Sequence, residues 1–281
     1  KLLIQHLKEK NPSFVITTHF SSTALLGRIK KKHLKDTPLF GYNSDVILSH
    51  KAYVNNKVDA YFIATETGRQ DMIRQGMDPE KVKVTGFPID DKYLKPFGSV
   101  QEERKKLGLK DMFTLLLSFG GTGIGSYGLL ERIHEKKLPI QIVAVCGRSE
   151  ETYNNLVKMK EERPELELHP KGFVTNMQDY LYCCDISAGK SGLNVVFESI
   201  YMQRPFMTTF AMSNEKLAAD FVQKNGYGWW PRNEEEIVNL LEQTVSSPSF
   251  LDTIKKNLKE NPPCEFGASK AVQTAKEIIN K

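Results

Sequence analysis

The stretch Asp185-Ile-Ser-Ala-Gly-Lys-Ser-Gly-Leu-Asn-Val-Val-Phe-Glu198 joins a short apolar run to a small turn holding two glycines, a lysine and a serine. A helix then begins, with a glutamate on its second turn. Unpaired N–H groups and the positive dipole end favour an anion at a helix start. Gly189 and Gly192 let backbone approach that anion closely. Lys190 adds a point charge, and Glu198 can accept hydrogen bonds from hydroxyls. Phosphate beside a diol points to a nucleotide or nucleotide sugar. The same residues also read as a plain strand–helix turn with a solvated lysine and a surface glutamate.

A second glycine-rich turn, Gly120-Gly-Thr-Gly-Ile-Gly125, follows another apolar run. Within it, Gly123-Ile-Gly-Ser-Tyr-Gly128 has the G-x-G-x-x-G spacing of dinucleotide sites. Such a site also needs an acid at the end of the next strand, which here ends Cys146-Gly-Arg148, so NAD is disfavoured. Gly189-Lys-Ser191 lacks the leading glycine of a P-loop, because that position is Cys184. There is no Asp-x-Asp triplet to clamp a metal. Two glycine-rich strand–helix turns suggest a diphosphate held between two helix N-termini.

The elements that must position these turns alternate along the chain. Strands are expected at 14–18, 38–42, 60–64, 82–85, 112–119, 140–146, 166–169, 185–187 and 206–210. Helices are expected at 2–10, 23–32, 66–75, 127–136, 150–162, 177–183, 195–202, 215–224, 234–244, 250–259 and 268–280. The alternation predicts an α/β protein with parallel sheets. Lys95-Pro-Phe-Gly-Ser99 is the best linker. The domains expected are an N-terminal acceptor and membrane-side domain at 1–97, a nucleotide-binding domain at 98–261, and a helical segment at 262–281 that packs back on the first. A doubly wound domain usually opens on a strand, whereas this chain opens on a helix and on Lys1, so an incomplete N-terminal domain is expected.

The 281 residues are 40% apolar and 26% charged, ordinary for a globular protein. Cys146, Cys183, Cys184 and Cys264 lack paired zinc-ligand spacing and are expected as free thiols. No apolar run approaches the ~18 residues that span a bilayer. Residues 1–35 hold eight basic residues against Glu9 alone, a net +7, which leaves −2 for the rest of a chain of net +5. The cluster Arg28, Lys30, Lys31, Lys32 and Lys35 suits an anionic membrane surface, or equally a solvated helix end facing the negative dipole. No aromatic residues interleave with these cations, which points away from nucleic acid.

With these residues in hand, the chain resembles the GT-B lipid glycosyltransferases typified by monogalactosyldiacylglycerol synthase and processive diacylglycerol glucosyltransferase. The peptidoglycan N-acetylglucosaminyl transferase is a more distant likeness. The resemblance rests on Val82-Lys-Val-Thr-Gly-Phe-Pro-Ile89, Val143-Ala-Val-Cys-Gly-Arg148, Lys171-Gly-Phe-Val174, Asp185 to Glu198 and Asn214-Glu-Lys216. It implies two Rossmann-like domains with a cleft between them, the second holding a UDP-sugar. On that likeness, Gly120, Gly121, Thr122 and Gly123 contact the diphosphate together with Lys190, Ser191 and Gly192. Glu198 takes the ribose, Phe173 and Val174 the uracil, and Asn214 and Glu215 the hexose, while Arg148 lies near the nucleotide.

The resemblance further implies an inverting, metal-independent transfer of hexose to a lipid such as diacylglycerol, with no cofactor beyond the donor substrate. The protein would sit peripherally on the cytoplasmic side of the membrane. Asn43-Ser-Asp-Val-Ile-Leu-Ser-His50 matches a family Asp/His segment, making Asp45 and His50 candidates for the general base and His19 a weaker one. Three features depart from the family. Asn214 stands where Gln is usual, Leu193 replaces a common Gly, and the family's Gly-Gly-Gly-His loop is not among these residues. Alternatives from the same residues are a transferase for a lipid-linked peptidoglycan precursor, a UDP-GlcNAc 2-epimerase, and a non-catalytic module binding UDP-sugar or membrane.

Overall fold

The computed structural model describes residues 2–43, 45–119, 127–213 and 215–280. The chain divides into two compact units, residues 1–90 with 263–281 and residues 91–262.

The first unit opens on α1 (Leu2–Lys10) and builds a parallel sheet in the order β1-β2-β3-β4, from β1 (Val15–Thr17), β2 (Leu39–Asn43), β3 (Ala60–Ile63) and β4 (Val82–Val84). Strand β3 is buried at every position, as a strand covered on both faces must be. On one face, α2 (Phe20–His33) and α3 (Glu66–Arg74) contribute Leu26 and Met72 to a core with Leu39, Tyr61 and Ile63. On the other, Ala271, Ala275 and Ile278 of the last helix, here α12 (Ser269–Ile279), cover Phe40 and Phe62. Gly86 (φ +84°) admits that returning segment, because a Cβ there would lie 2.5 Å from the Glu265 carbonyl oxygen.

The second unit is a six-stranded parallel sheet in the order β10-β9-β8-β5-β6-β7. Its strands are β5 (Thr114–Ser118), β6 (Gln141–Val145), β7 (Glu167–Lys171), β8 (Ile186–Lys190), β9 (Phe206–Phe210) and β10 (Gly228–Trp229). The chain runs outward from β5 to β7, then returns to the other side of β5 to lay down β8. That reversal is a topological switch point, and ligands of such sheets bind outside the strands' carboxyl ends there. The central strands are buried on both faces along the apolar runs Leu115–Leu117 and Ile142–Val145. Leu115, Leu117, Ile142 and Ala144 pack with Leu129 and Ile133 of α5 (Tyr127–Glu135), Leu156 of α6 (Glu150–Glu162) and Leu241 of α10 (Glu234–Ser246). The remaining helices are α7 (Met177–Cys183), α8 (Leu193–Tyr201), α9 (Lys216–Lys224) and α11 (Asp252–Glu260).

The sequence reading passed over α4 (Val100–Lys106), whose start carries a capping box: Ser99 accepts from the Glu102 N–H and the Glu102 carboxylate accepts from the Ser99 N–H. Residues 91–97, placed with the first domain by the sequence, join the second unit. There Lys92 donates to the Thr175 carbonyl at 3.3 Å and Phe97 stacks on Tyr182 at 4.3 Å.

Among the described residues all four cysteines are free, and burial pushes the thiols of Cys146 and Cys183 up to about 11 and that of Cys184 to about 12. Raised folded pKa values stabilise the fold below the ordinary thiol value of 9.0, and that stabilisation is lost as pH climbs toward about 11–12. These three thiols should therefore stay unlabelled by a thiol reagent at pH 8 until denaturant is added. Thermal stability should fall across that alkaline window, and less steeply once Cys184 is replaced by Val.

Candidate functional site

Strand β8 runs on to Lys190, three residues past the Ser187 end that the sequence suggested, so Gly189 and Lys190 belong to the strand and not to the turn after it. The reason is Gly189 (φ +154°). A Cβ there would sit 2.6 Å from the Ser118 carbonyl oxygen, so only glycine keeps β8 against β5, and a register shift follows at Gly189/Lys190. Gly189→Ala should cost about 1–3 kcal/mol and weaken ligand binding at the adjoining turn; denaturant melts and ligand titration check both.

Helix α8 starts at Leu193 with Gly192 as an N-cap that makes no side-chain cap bond, so among the described residues no side-chain cap satisfies the first-turn N–H groups. Beside them, Lys190 Nζ pairs with Glu215 Oε1 at 2.6 Å. Glu215 is buried, its Oε2 accepts from the Met212 N–H at 3.1 Å, and its backbone carbonyl accepts from Ser191 Oγ at 3.2 Å. One connected network thus ties the β8–α8 turn to the β9–α9 turn. The sequence puts Lys190 and Ser191 together at the diphosphate and Glu215 at the hexose; the bonding of the first two to the third had no signal beyond residue type. Glu198 lies half-buried in α8.

On the other side of the switch point, Ser118, registered opposite Gly189, lines a cavity of about 360 Å³ with Val145, Gly147, Arg148, Phe173 and Val174. The Arg148 guanidinium lies over the Phe173 ring, 5.0 Å from its centroid. Phe173 is still 61% exposed, so an aromatic face and a cation stand together at the carboxyl ends of β6 and β7. Such a wall suits a planar, electron-rich ring attached to an anion. Gly120, Gly121, Thr122, Gly123 and Asn214 lie outside the described residues. Among the described residues no group of three His, Cys, Asp or Glu is placed to hold a metal ion.

In the first unit, the carboxyl ends of β1 and β2 carry His19, Asp45 and His50. Asp45 is half-buried, its N–H donates to Asn43 Oδ1 at 2.9 Å and its Oδ2 accepts from the His50 N–H at 3.2 Å. Buried Asn43 and Ser49 fix this loop: Asn43 donates to Ser49 Oγ at 2.6 Å, and the Ser49 N–H donates to Asp71 at 2.8 Å. His50 Nδ1 accepts from the Ala52 N–H at 3.1 Å, which in the neutral ring puts the proton on Nε2. His19 and His50 each stack on Phe20, at 4.3 and 4.6 Å between ring centroids, an assembly unforeseen from the sequence.

Of the basic cluster, Arg28, Lys31, Lys32 and Lys35 are exposed. Lys30 is not available to a membrane, because it pairs with Asp59 at 2.8 Å and donates to the Thr37 carbonyl at 3.0 Å. Among the described residues no helix is long and apolar enough to cross a membrane.

The family model of monogalactosyldiacylglycerol (MGDG) synthase matches residues 1–89. A probable chloroplastic monogalactosyldiacylglycerol synthase from Nicotiana tabacum is 25% identical over 250 residues, covering 84% of this chain and 46% of that protein. A processive diacylglycerol beta-glucosyltransferase from Bacillus pumilus is 25% identical over 268 residues, covering 92% of this chain and 67% of that protein. The chain thus spans about half the length of the plant relative. Among solved structures, Anabaena Alr3699/HepE in complex with UDP aligns with a TM-score of 0.66 at 16% identity, over 99% of this chain and 80% of that one. MurG from Acinetobacter baumannii aligns at 0.68 and 16%, over 99% and 76%. The chain has the α/β fold of the GT-B glycosyltransferases and is similar, over most of its length, to the monogalactosyldiacylglycerol synthases and processive diacylglycerol glucosyltransferases.

Proposed function

We propose that this protein transfers a hexose from a UDP-sugar to a membrane lipid, diacylglycerol foremost, as an inverting and metal-independent transferase that needs no cofactor beyond its donor. The observation that carries the reading is the β8–α8 turn at the switch point of the second sheet. There Lys190, at the end of β8, and the start of α8, with no side-chain cap among the described residues, lie across β5 from the Arg148–Phe173 wall. On this reading uracil packs on Phe173 and Val174, with Arg148 at its edge, and Glu198 takes the ribose hydroxyls. The diphosphate meets the α8 N-terminus, Lys190, Ser191 and Gly192, together with the 120–123 turn. Asn214 and Glu215 take the sugar. Lys190 then exchanges or shares its Glu215 partner with phosphate oxygens. As UDP departs it gains negative charge, so donors already aimed at it stabilise the transition state more than the ground state.

Asp45 is the general base that accepts the proton of the attacking hydroxyl. Arg28, Lys31, Lys32 and Lys35 lie on the anionic surface of the membrane, on its cytoplasmic side. Support for the lipid acceptor comes from the relatives, which are named as a monogalactosyldiacylglycerol synthase and a diacylglycerol glucosyltransferase. Lys190→Ala should weaken UDP binding at least ~10-fold, the loss of one charge-assisted contact, as read by calorimetric titration; unchanged affinity would remove Lys190 from the donor site. A second reading draws on a putative UDP-N-acetylglucosamine 2-epimerase from Listeria monocytogenes, which aligns with a TM-score of 0.69 at 12% identity. It predicts conversion of UDP-N-acetylglucosamine with no acceptor present, which product analysis separates from transfer.

A further inference from the structure

At the opposite, amino-terminal side of the second sheet lies a groove of about 450 Å³, formed where the 93–97 segment crosses the ends of α7 and α8 and meets α11. Its volume is that of a small-ligand site. Lys95, Arg204 and Lys255 line it, and among the described residues no acidic one does. Lys95 and Lys255 make no ion pair or hydrogen bond among the described residues. Arg204 is immobilised: its Nε donates to the Leu181 carbonyl at 3.1 Å, one Nη to the Tyr182 carbonyl at 2.7 Å, and its guanidinium lies 5.6 Å from the Tyr182 ring centroid. A guanidinium held this way keeps further N–H groups for an anion, in a geometry suited to phosphate oxygens.

Two more observations point the same way. Gln203 (φ +55°) sits in the left-handed turn that ends α8, where its N–H caps the Ile200 carbonyl and the next N–H caps that of Ser199. Glycine is the usual residue there. A strained glutamine instead places an exposed amide donor on the groove wall. Beside the cations stand Leu94, 46% exposed, and the Phe97–Tyr182 stack. The carboxyl end of α8 opposes an anion with roughly half a unit charge, which three full positive charges outweigh.

We propose that this groove is a second anion site, distinct from the 185–198 turn, that takes a phosphomonoester carried on a small apolar body. Three cations and an amide match three phosphate oxygens, and the apolar wall takes the body. The inference does not depend on the donor reading.

Titration calorimetry on the whole chain, with UDP present in excess, tests it using inorganic phosphate, phenyl phosphate and dihexanoyl phosphatidate as probes. At least one ester should bind about fivefold or more tightly than inorganic phosphate. A tighter phosphatidate marks a lipid headgroup as the source, and a tighter phenyl phosphate marks a soluble ester. The double variant Lys95→Gln/Lys255→Gln, which alters only unpaired side chains, should lose about tenfold in that affinity while its melting temperature and UDP affinity stay unchanged. Absence of binding by both esters up to about 10 mM overturns the proposal, as does equal affinity in the double variant. UDP binding measured on the same samples reports separately on the donor site.

Discussion

Asp45→Asn is expected to lower kcat for hexose transfer by ~100-fold or more, the lower bound for losing a general base, while leaving the UDP-sugar KM within about threefold. The change is isosteric. The asparagine oxygen can still accept from the His50 N–H, as Asp45 Oδ2 does now at 3.2 Å, so the loop fixed by Asn43 and Ser49 should hold. What disappears is a carboxylate able to take a proton. His50→Asn gives the contrast. The His50 ring already uses Nδ1 to accept from the Ala52 N–H, so its neutral form carries the proton on Nε2 and offers no outward lone pair. Asparagine can replace that cap, and activity should stay within about fivefold. Initial rates of both variants with UDP-hexose and diacylglycerol vesicles decide the matter. An inactive His50→Asn beside an active Asp45→Asn would transfer the role to the imidazole.

The second large effect concerns stability. Arg104, 7% exposed, donates to the Cys183 carbonyl at 3.0 Å and to Asp185 Oδ2 at 2.8 Å. The same Asp185 oxygen accepts from the Thr114 N–H at 2.9 Å, so one guanidinium fixes the start of β8 against the start of β5. Its bond to Asp111 at 3.0 Å adds little, since that carboxylate is 62% exposed. Arg104→Met removes the cation and strands a partly buried carboxylate, which should cost about 3–5 kcal/mol. For a unit of this size that is roughly a 10 °C fall in melting temperature. Adding Asp185→Asn should recover part of the loss, because the stranded charge goes with it. A fall of only a degree or two would show that the pair does not hold the two strands.

Much of this architecture was legible because apolar periodicity and helix punctuation agree along the chain. The buried runs 140–146 and 60–64 read as strands, and β6 and β3 occupy them. The helix expected at 150–162 starts on the Ser149 cap. The misses have local causes. Helix α4 is short and almost wholly charged, so no apolar stripe announced it, although Ser99 and Glu102 did. Strand β8 outran its expected end because glycine lacks β propensity, and the reason Gly189 stays in the sheet is a neighbouring strand's carbonyl. For the site, residue types and turns were legible, but partnerships were not. Nothing local in the sequence says that Lys190 meets Glu215, that Lys30 is spent on Asp59, or that Phe20 lies between two histidines. Apart from the His19–Phe20 neighbour stack, each of these contacts joins different segments of the chain, and only folding brings them together.

The central claim is that the 185–198 turn and the Arg148–Phe173 wall form one uridine diphosphate site. Thermal melts with UDP, UDP-hexoses, NAD and ATP test it most directly. At about a hundred times its Kd, a ligand binding only the folded state adds ~2.7 kcal/mol, which is roughly 5–10 °C here. Such a rise is expected with UDP and UDP-hexoses, none with NAD or ATP, and a much smaller UDP response in Lys190→Ala. No rise with UDP, or a larger one with NAD or ATP, would contradict it.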